Sequence, residues 1–142
     1  MNNLKLEIIN DEPSPEDKKV MVDGMLSYHT SKGHPRKTDS YSILLKDKNN
    51  KVLGMIIVSF LWNGMRIDSL WIDEVMRNQK WGNKLVRMAE TEGVKRGCSF
   101  AYTDTFTWQA PTFYEKLGYE LYGKLDDFPK GSSLNYYRKN LV

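Results

Sequence analysis

Apolar residues recur along this chain with two periods, and the changes between them mark its elements. Leu4 to Ile9 alternates as a short strand does. Ser14-Pro15-Glu16-Asp17 then has the form of a helix start, with Ser14 as N-cap, Pro15 in the first turn and acids behind it. Met21, Met25 and Tyr28 follow at helical spacing, and Gly33 with Pro35 closes that region. Tyr41 to Lys46 and Lys51 to Trp62 are strand-like runs flanking the polar turn Asp47-Lys48-Asn49-Asn50. Asn63-Gly64 is a second tight-turn signal, leading into Met65 to Asp73.

After Gly82 the period lengthens: Trp81, Leu85, Met88, Ala89 and Glu92 mark one helical face, which Gly97 ends. Cys98 to Phe106 is a strand with Cys98, Phe100, Tyr102, Asp104 and Phe106 on one side and small residues on the other. Gln109 to Leu117 reads as a short helix stopped by Gly118, and Tyr119 to Leu125 and Leu134 to Lys139 supply two last strands. The predicted fold class is therefore α/β: an α+β mixed sheet with an antiparallel N-terminal meander and helical crossovers later. No repeat, linker or low-complexity stretch interrupts it, so residues 1–142 read as a single domain.

Composition narrows the classes. A length of 142 residues suits one core, and the hydrophobic and charged shares, 40% and 27%, are those of a soluble globular chain. No apolar run is long enough to span a bilayer, and Met1 to Glu7 lacks a signal-peptide pattern, which reads as cytoplasmic with no membrane partner. The single cysteine, Cys98, reads as a small buried hydrophobe. A net charge of +3 is mild and scattered, which argues against nucleic acid and agrees with an anionic ligand in a mixed surface. His29 and His34 have no companions at metal-ligand spacing, so no metal is expected.

Arg77-Asn78-Gln79-Lys80-Trp81-Gly82-Asn83 lies between a predicted strand and the first turn of a helix. Backbone N–H groups at a helix N-terminus have no intrahelical partner and attract anions. Gly82 allows close approach, and Arg77 and Lys80 add positive charge. The same residues also make an ordinary strand-to-helix turn, so the loop alone defines only an anion site.

Here the chain resembles the GNAT superfamily of N-acetyltransferases. Their pyrophosphate loop runs Arg/Gln-x-x-Gly-x-Gly/Ala after a Leu-x-Val-like strand end; this chain has Leu70-Trp71-Ile72, then Arg77 to Gly82, with Lys80 where the first glycine usually stands. The resemblance implies a GNAT-like acyl-CoA N-acyltransferase fold. It also implies that the backbone near Trp71 and Ile72 pairs with the pantetheine arm of acetyl-CoA and that residues 77 to 83 bind its pyrophosphate. Gln109-Ala110-Pro111-Thr112-Phe113-Tyr114-Glu115-Lys116-Leu117-Gly118-Tyr119 is similar to a second signature, Ala-x-x-x-Tyr-x-Lys-x-Gly-Phe/Tyr. Its tyrosine, here Tyr114, often protonates the departing thiolate; a phenol near its ordinary pKa of about 10 holds a proton at neutral pH. Tyr114 is also readable as an aromatic that packs the short helix. Thr107 stands where the family often has an asparagine. A homodimer is implied by the resemblance only.

The acceptor must lose a proton before it attacks, which needs a carboxylate or a water chain. Glu74, just past Ile72, is the first candidate base, with Asp104 next and Asp68 and Asp73 behind it; each is also readable as a solvated or strand-end carboxylate. Trp62, Trp71, Tyr102 and Trp108 would line an amine pocket, where aromatic faces attract cations, or pack the core. The expected reaction is direct transfer of acetyl from acetyl-CoA to a primary amine, of a small molecule rather than a protein. A non-catalytic acyl-CoA-binding sensor and an enzyme acting on a protein amine are the alternatives.

Overall fold

The computed structural model describes residues 3–142. It divides into two compact units, Met1–Arg36 and Lys37–Val142. In the first, helix α1 spans Pro15–Ser31 and begins as its sequence directs: the Ser14 side chain accepts a hydrogen bond from the Asp17 amide, and Pro15, Glu16 and Asp17 fill the first turn. The strand expected at Leu4 to Ile9 does not form; those residues are irregular. Alternation makes a strand only where a neighbouring edge completes its hydrogen bonds, and the sheet's ladders do not include this segment.

The second unit is a six-stranded sheet. β1 (Thr38–Lys46), β2 (Val52–Leu61) and β3 (Gly64–Ile72) form the antiparallel meander. A single 3-10 turn, Glu74–Met76, and helix α2 (Trp81–Lys95) lead to β4 (Phe100–Phe106). Helix α3 (Pro111–Lys116), β5 (Glu120–Asp126) and β6 (Ser133–Asn140) complete the chain, and the spatial order is β1-β2-β3-β4-β6-β5. β3 and β4 are parallel; every other neighbouring pair is antiparallel.

Three details differ from the pattern in the sequence. The β2–β3 turn is centred on Trp62-Asn63, with Trp62 at φ 52°, and Gly64 instead opens β3 against the Phe100 ring, which a Cβ would meet at 2.9 Å. The buried stripe of α2 is Leu85, Val86, Ala89, Glu90 and Gly93, one residue round from the expected face, leaving Met88 exposed. Glu90 turns inward because Lys139 (3.0 and 3.1 Å) and the Tyr119 hydroxyl (2.8 Å) satisfy its carboxylate there. On β4 the small residues, Ala101, Thr103 and Thr105, are the buried side. Small side chains let Tyr114, Tyr119 and Tyr137 fill the core beside them, together with Ile56, Val58, Met65 and Val86. Cys98 belongs to that core, and burial raises its pKa although Arg96 opposes the shift.

Candidate functional site

The central feature is a parting of strands. β3 and β4 pair at only three positions, Gly64–Phe100, Met65–Ala101 and Arg66–Tyr102. At the next step the Thr103 hydroxyl, rather than a backbone amide, donates to the Ile67 carbonyl at 3.0 Å. The β2–β3 register slips just there, so that Asp68 is an extra residue on β3. A bulge bends its strand and raises the local twist, which turns the end of β3 away from β4. Ser69 to Ile72 therefore keeps its ladder to β2 and has none to β4, leaving peptide groups along a crevice.

The chain leaves β3 through a loop that ends on the α2 N-terminus. Asp73 caps the 3-10 turn, its side chain accepting from the Val75 amide at 3.0 Å, so this carboxylate is structural. Arg77 Nε donates back to the Ile72 carbonyl at 3.1 Å, which occupies one backbone acceptor expected to be free for pantetheine. Asn78 and Lys80 both take left-handed backbone, at φ 63° and 65°. That explains the glycine customary at the Lys80 position: the conformation costs a residue with a Cβ about 1 kcal/mol. No side chain caps α2. The amides of its first turn, in Trp81, Gly82 and Asn83, thus remain available to an anion. Beside them is an open groove of about 640 Å³ whose lining includes Gln79, Lys80, Lys84 and Arg87, with Lys84 Nζ 5.4 Å above the Trp81 ring. Gly82 itself has a packing role, since a Cβ would stand 3.1 Å from Phe113.

Tyr114 lies under the crevice. Its ring is 6% exposed, edge-on to Phe113 (5.1 Å) and Tyr119 (5.6 Å). Burial pushes its pKa up to about 12; a hydrogen bond with Thr103 opposes this and the Asp104 charge adds to it. The phenol therefore holds its proton throughout the neutral range. Its Thr103 contact puts the hydroxyl at the point where β3 and β4 separate.

The opposite face of β4 is charged and aromatic. Arg66 binds two carboxylates, Asp68 Oδ1 through one terminal nitrogen and Asp104 Oδ2 through the other, each at 2.9 Å, and Ser59 donates to Asp68 at 3.1 Å. Tyr102 shares the Asp104 side of β4, next to Phe100 at 5.8 Å. Glu74 is exposed in the 3-10 turn at the far end of β3. Trp62, in the hairpin at the other end of that nine-residue strand, is about 25 Å along the chain axis from Ile72. The structure thus gathers Tyr102 and Asp104 beside the crevice and does not bring Trp62 to its open end. Trp71 is half exposed on β3. Sequence reasoning missed Arg66 and Thr103. The first had a signal, a cation two places from Asp68 and therefore on the same strand side; the second did not, because its role depends on where pairing stops.

Among the described residues, no three His, Cys, Asp or Glu side chains are grouped to hold a metal, and no helix is long and apolar enough to cross a membrane.

A mixed sheet whose parallel central strands part above a buried tyrosine, with an uncapped helix end at the crevice, is the architecture of an acyl-CoA N-acyltransferase. The chain belongs to the acetyltransferase (GNAT) family, whose model matches residues 6–119. It is 30% identical over 133 residues to the acetyltransferase Atu2258 of Agrobacterium fabrum, covering 93% of this chain and 96% of that one. It is 26% identical over 138 residues to the blasticidin-S acetyltransferase of Streptomyces morookaense, covering 96% of each. The crystal structure of an acetyltransferase from Bacillus cereus superposes with a TM-score of 0.87 at 26% identity, over 99% of both chains. Its activity class is accordingly acetyl-CoA-dependent acetyl transfer.

Proposed function

We propose that this enzyme moves the acetyl group of acetyl-CoA directly to a primary amine of a small molecule, within one ternary complex. The observation that carries the reading is the crevice between β3 and β4, with a hydroxyl pair, Tyr114 and Thr103, at its apex and the free α2 amides at its mouth. The fit to the donor is chemical. Unpaired peptide groups of residues 69–72 suit an amide-bearing arm, and helix-end amides with Lys80, Lys84 and Arg87 suit phosphates. In this reading Trp71 and Ile72 hold the arm, and Arg77, Asn78, Gln79, Lys80, Trp81, Gly82 and Asn83 hold the pyrophosphate.

Once the amine attacks the thioester carbonyl, negative charge grows on oxygen and then on sulfur. A backbone amide near Ile72 serves the oxygen. Tyr114, still protonated, serves the sulfur. Glu74, exposed at the strand end, is the proposed base, acting on the ammonium directly or through water. Asp104 and Tyr102 receive the amine from the other face of β4, with Arg66 holding Asp104 in place through one oxygen. The name of the Streptomyces relative, an acetyltransferase of blasticidin S, supports a small-molecule acceptor.

The test is a panel of small amines and a lysine peptide, with thiol release followed under saturating acetyl-CoA. Turnover on small amines is expected. Turnover confined to the peptide would move the acceptor to proteins, and tight acetyl-CoA binding without turnover on any amine would leave only a binding module.

A further inference from the structure

Beyond Asp104, β4 runs out through three aromatic rings laid on one another. Trp108 stacks on Phe106 with centroids 4.7 Å apart and planes 5° from parallel, and Phe128 stacks on Phe106 at 5.7 Å and 23°. Core packing does not account for them, since Trp108 is 61% exposed and Phe128 49%. Rings stacked in this way cover one another's faces, and the exposed Trp108 ring is the flat apolar surface at the end of the stack. Offset stacking is the arrangement in which such a platform accepts one more ring.

The surroundings say what that ring carries. Phe106, Asp104 and Tyr102 share one side of β4, at a spacing of about 7 Å per pair of residues. Arg66 holds Asp104 and Asp68 through one carboxylate oxygen each, while Arg138, cross-strand from Tyr102, lies over the Phe100 ring at 4.4 Å. The pair with Arg66 engages Asp104 Oδ2, which leaves Oδ1 to accept from an ammonium one residue pair along from the aromatic stack.

We propose that Trp108, backed by Phe106 and Phe128, stacks on a planar ring of the acceptor, so that the acceptor is a primary amine bearing an aromatic or heteroaromatic ring, its ammonium turned to Asp104. This rests on the amine-acceptor reading above and adds the substrate class. Cation–π attraction alone would serve any alkylamine, whereas stacking distinguishes a flat ring from a saturated one.

Matched acceptors test it: 2-phenylethylamine and tryptamine against 2-cyclohexylethylamine, which differ in ring planarity at the same primary amine. The expected result is kcat/KM about tenfold higher for the planar pair. Trp108→Ala should abolish that ratio, Trp108→Phe should restore most of it, and KM for acetyl-CoA should stay constant. Equal kcat/KM for flat and saturated rings, or an equal loss for both in Trp108→Ala, overturns the proposal. So does a dimer in sedimentation that Trp108→Ala dissociates, because a second copy would then cover the platform. If no amine is acetylated, the amine-acceptor reading fails, and quenching of tryptophan fluorescence decides the platform separately. Quenching by 2-phenylethylamine that Trp108→Ala removes, with none by 2-cyclohexylethylamine, supports it; no quenching by either overturns it.

Discussion

Replacing Tyr114 by phenylalanine removes one oxygen and nothing else from the core. The ring keeps its contacts with Phe113 and Tyr119 and its place near Tyr137, 6.5 Å away, so no cavity larger than a hydroxyl opens. The cost in stability is one hydrogen bond with Thr103, about 1 kcal/mol. The cost in catalysis is larger. Positioned general acids contribute about 10²- to 10⁴-fold. The environment places Tyr114 near the low end of that range. With its pKa pushed up to about 12, the phenol is a weaker acid than an ordinary thiol near 8.5. Complete handover to the sulfur is then uphill by roughly 3.5 units, about 5 kcal/mol. In the role proposed for it, its contribution is a strong hydrogen bond as the thiolate forms, worth about a hundredfold in kcat.

The assay is thiol release at saturating acetyl-CoA and amine, with acetyl-CoA affinity measured by titration and stability by denaturant. Thr103→Val is the control: it deletes the same hydrogen bond, and also the one Thr103 donates to the Ile67 carbonyl, but leaves the phenol. Tyr114→Phe should lower kcat about a hundredfold at nearly constant acetyl-CoA affinity, while Thr103→Val should cost more stability than Tyr114→Phe and keep most activity. An unchanged kcat in Tyr114→Phe would remove the residue from catalysis. An alkaline fall in wild-type kcat near pH 10 that vanishes in Tyr114→Phe would contradict the raised pKa.

Four further outcomes follow from the geometry. Lys80→Gly should stabilise the fold by about 1 kcal/mol in denaturant melts, by removing a Cβ from left-handed backbone; a loss of acetyl-CoA affinity alongside would show that the lysine charge meets a phosphate. Lys139→Met leaves the Glu90 carboxylate, 8% exposed, facing only the Tyr119 hydroxyl, and should cost about 3 kcal/mol at pH 7; an unchanged midpoint would show that Glu90 is not held by Lys139. Stability should also fall at alkaline pH. Tyr114 has a folded-state pKa above its unfolded value of about 10, so its share is complete below pH 10 and lost as pH climbs toward about 12, up to about 3 kcal/mol, with Tyr119 acting in the same direction; denaturant midpoints from pH 8 to 11 should show a decline that Tyr114→Phe reduces. Asp104→Asn should raise the amine KM with little effect on acetyl-CoA, and equal KM values would dissociate Asp104 from the acceptor.

Much of this was legible before any coordinates, for identifiable reasons. The meander was readable because Ile56, Val58 and Phe60 alternate with partly exposed neighbours, and α1 because Ser14 and Pro15 state its start. The head of α2 was readable from Gly82 and the lengthening of the period after it. Errors arose where long-range pairing overrides local pattern. Leu4 to Ile9 had the alternation of a strand but no ladder in the sheet. Glu92 was read on the marked face of α2, whereas Glu90 is the buried acid, because its partner Lys139 is 49 positions away. Trp62 and Asn63, rather than Asn63 and Gly64, took the turn because the Phe100 ring lies against Gly64. The crevice was beyond local reading altogether, since it depends on a bulge at Asp68 and on pairing that stops after Arg66.

The glycine at the head of α2 has one more consequence. A Cβ at Gly82 would press on Phe113 at 3.1 Å, and Phe113 stands edge-on against Tyr114 at 5.1 Å. The end of the helix proposed to seat phosphates and the phenol proposed to face sulfur are thus separated by one ring, with no slack on the helix side. For an engineer the two positions are a single design variable. Enlarging residue 82 displaces the phenol unless residue 113 shrinks with it, so Gly82→Ala paired with Phe113→Leu should keep more turnover than Gly82→Ala alone.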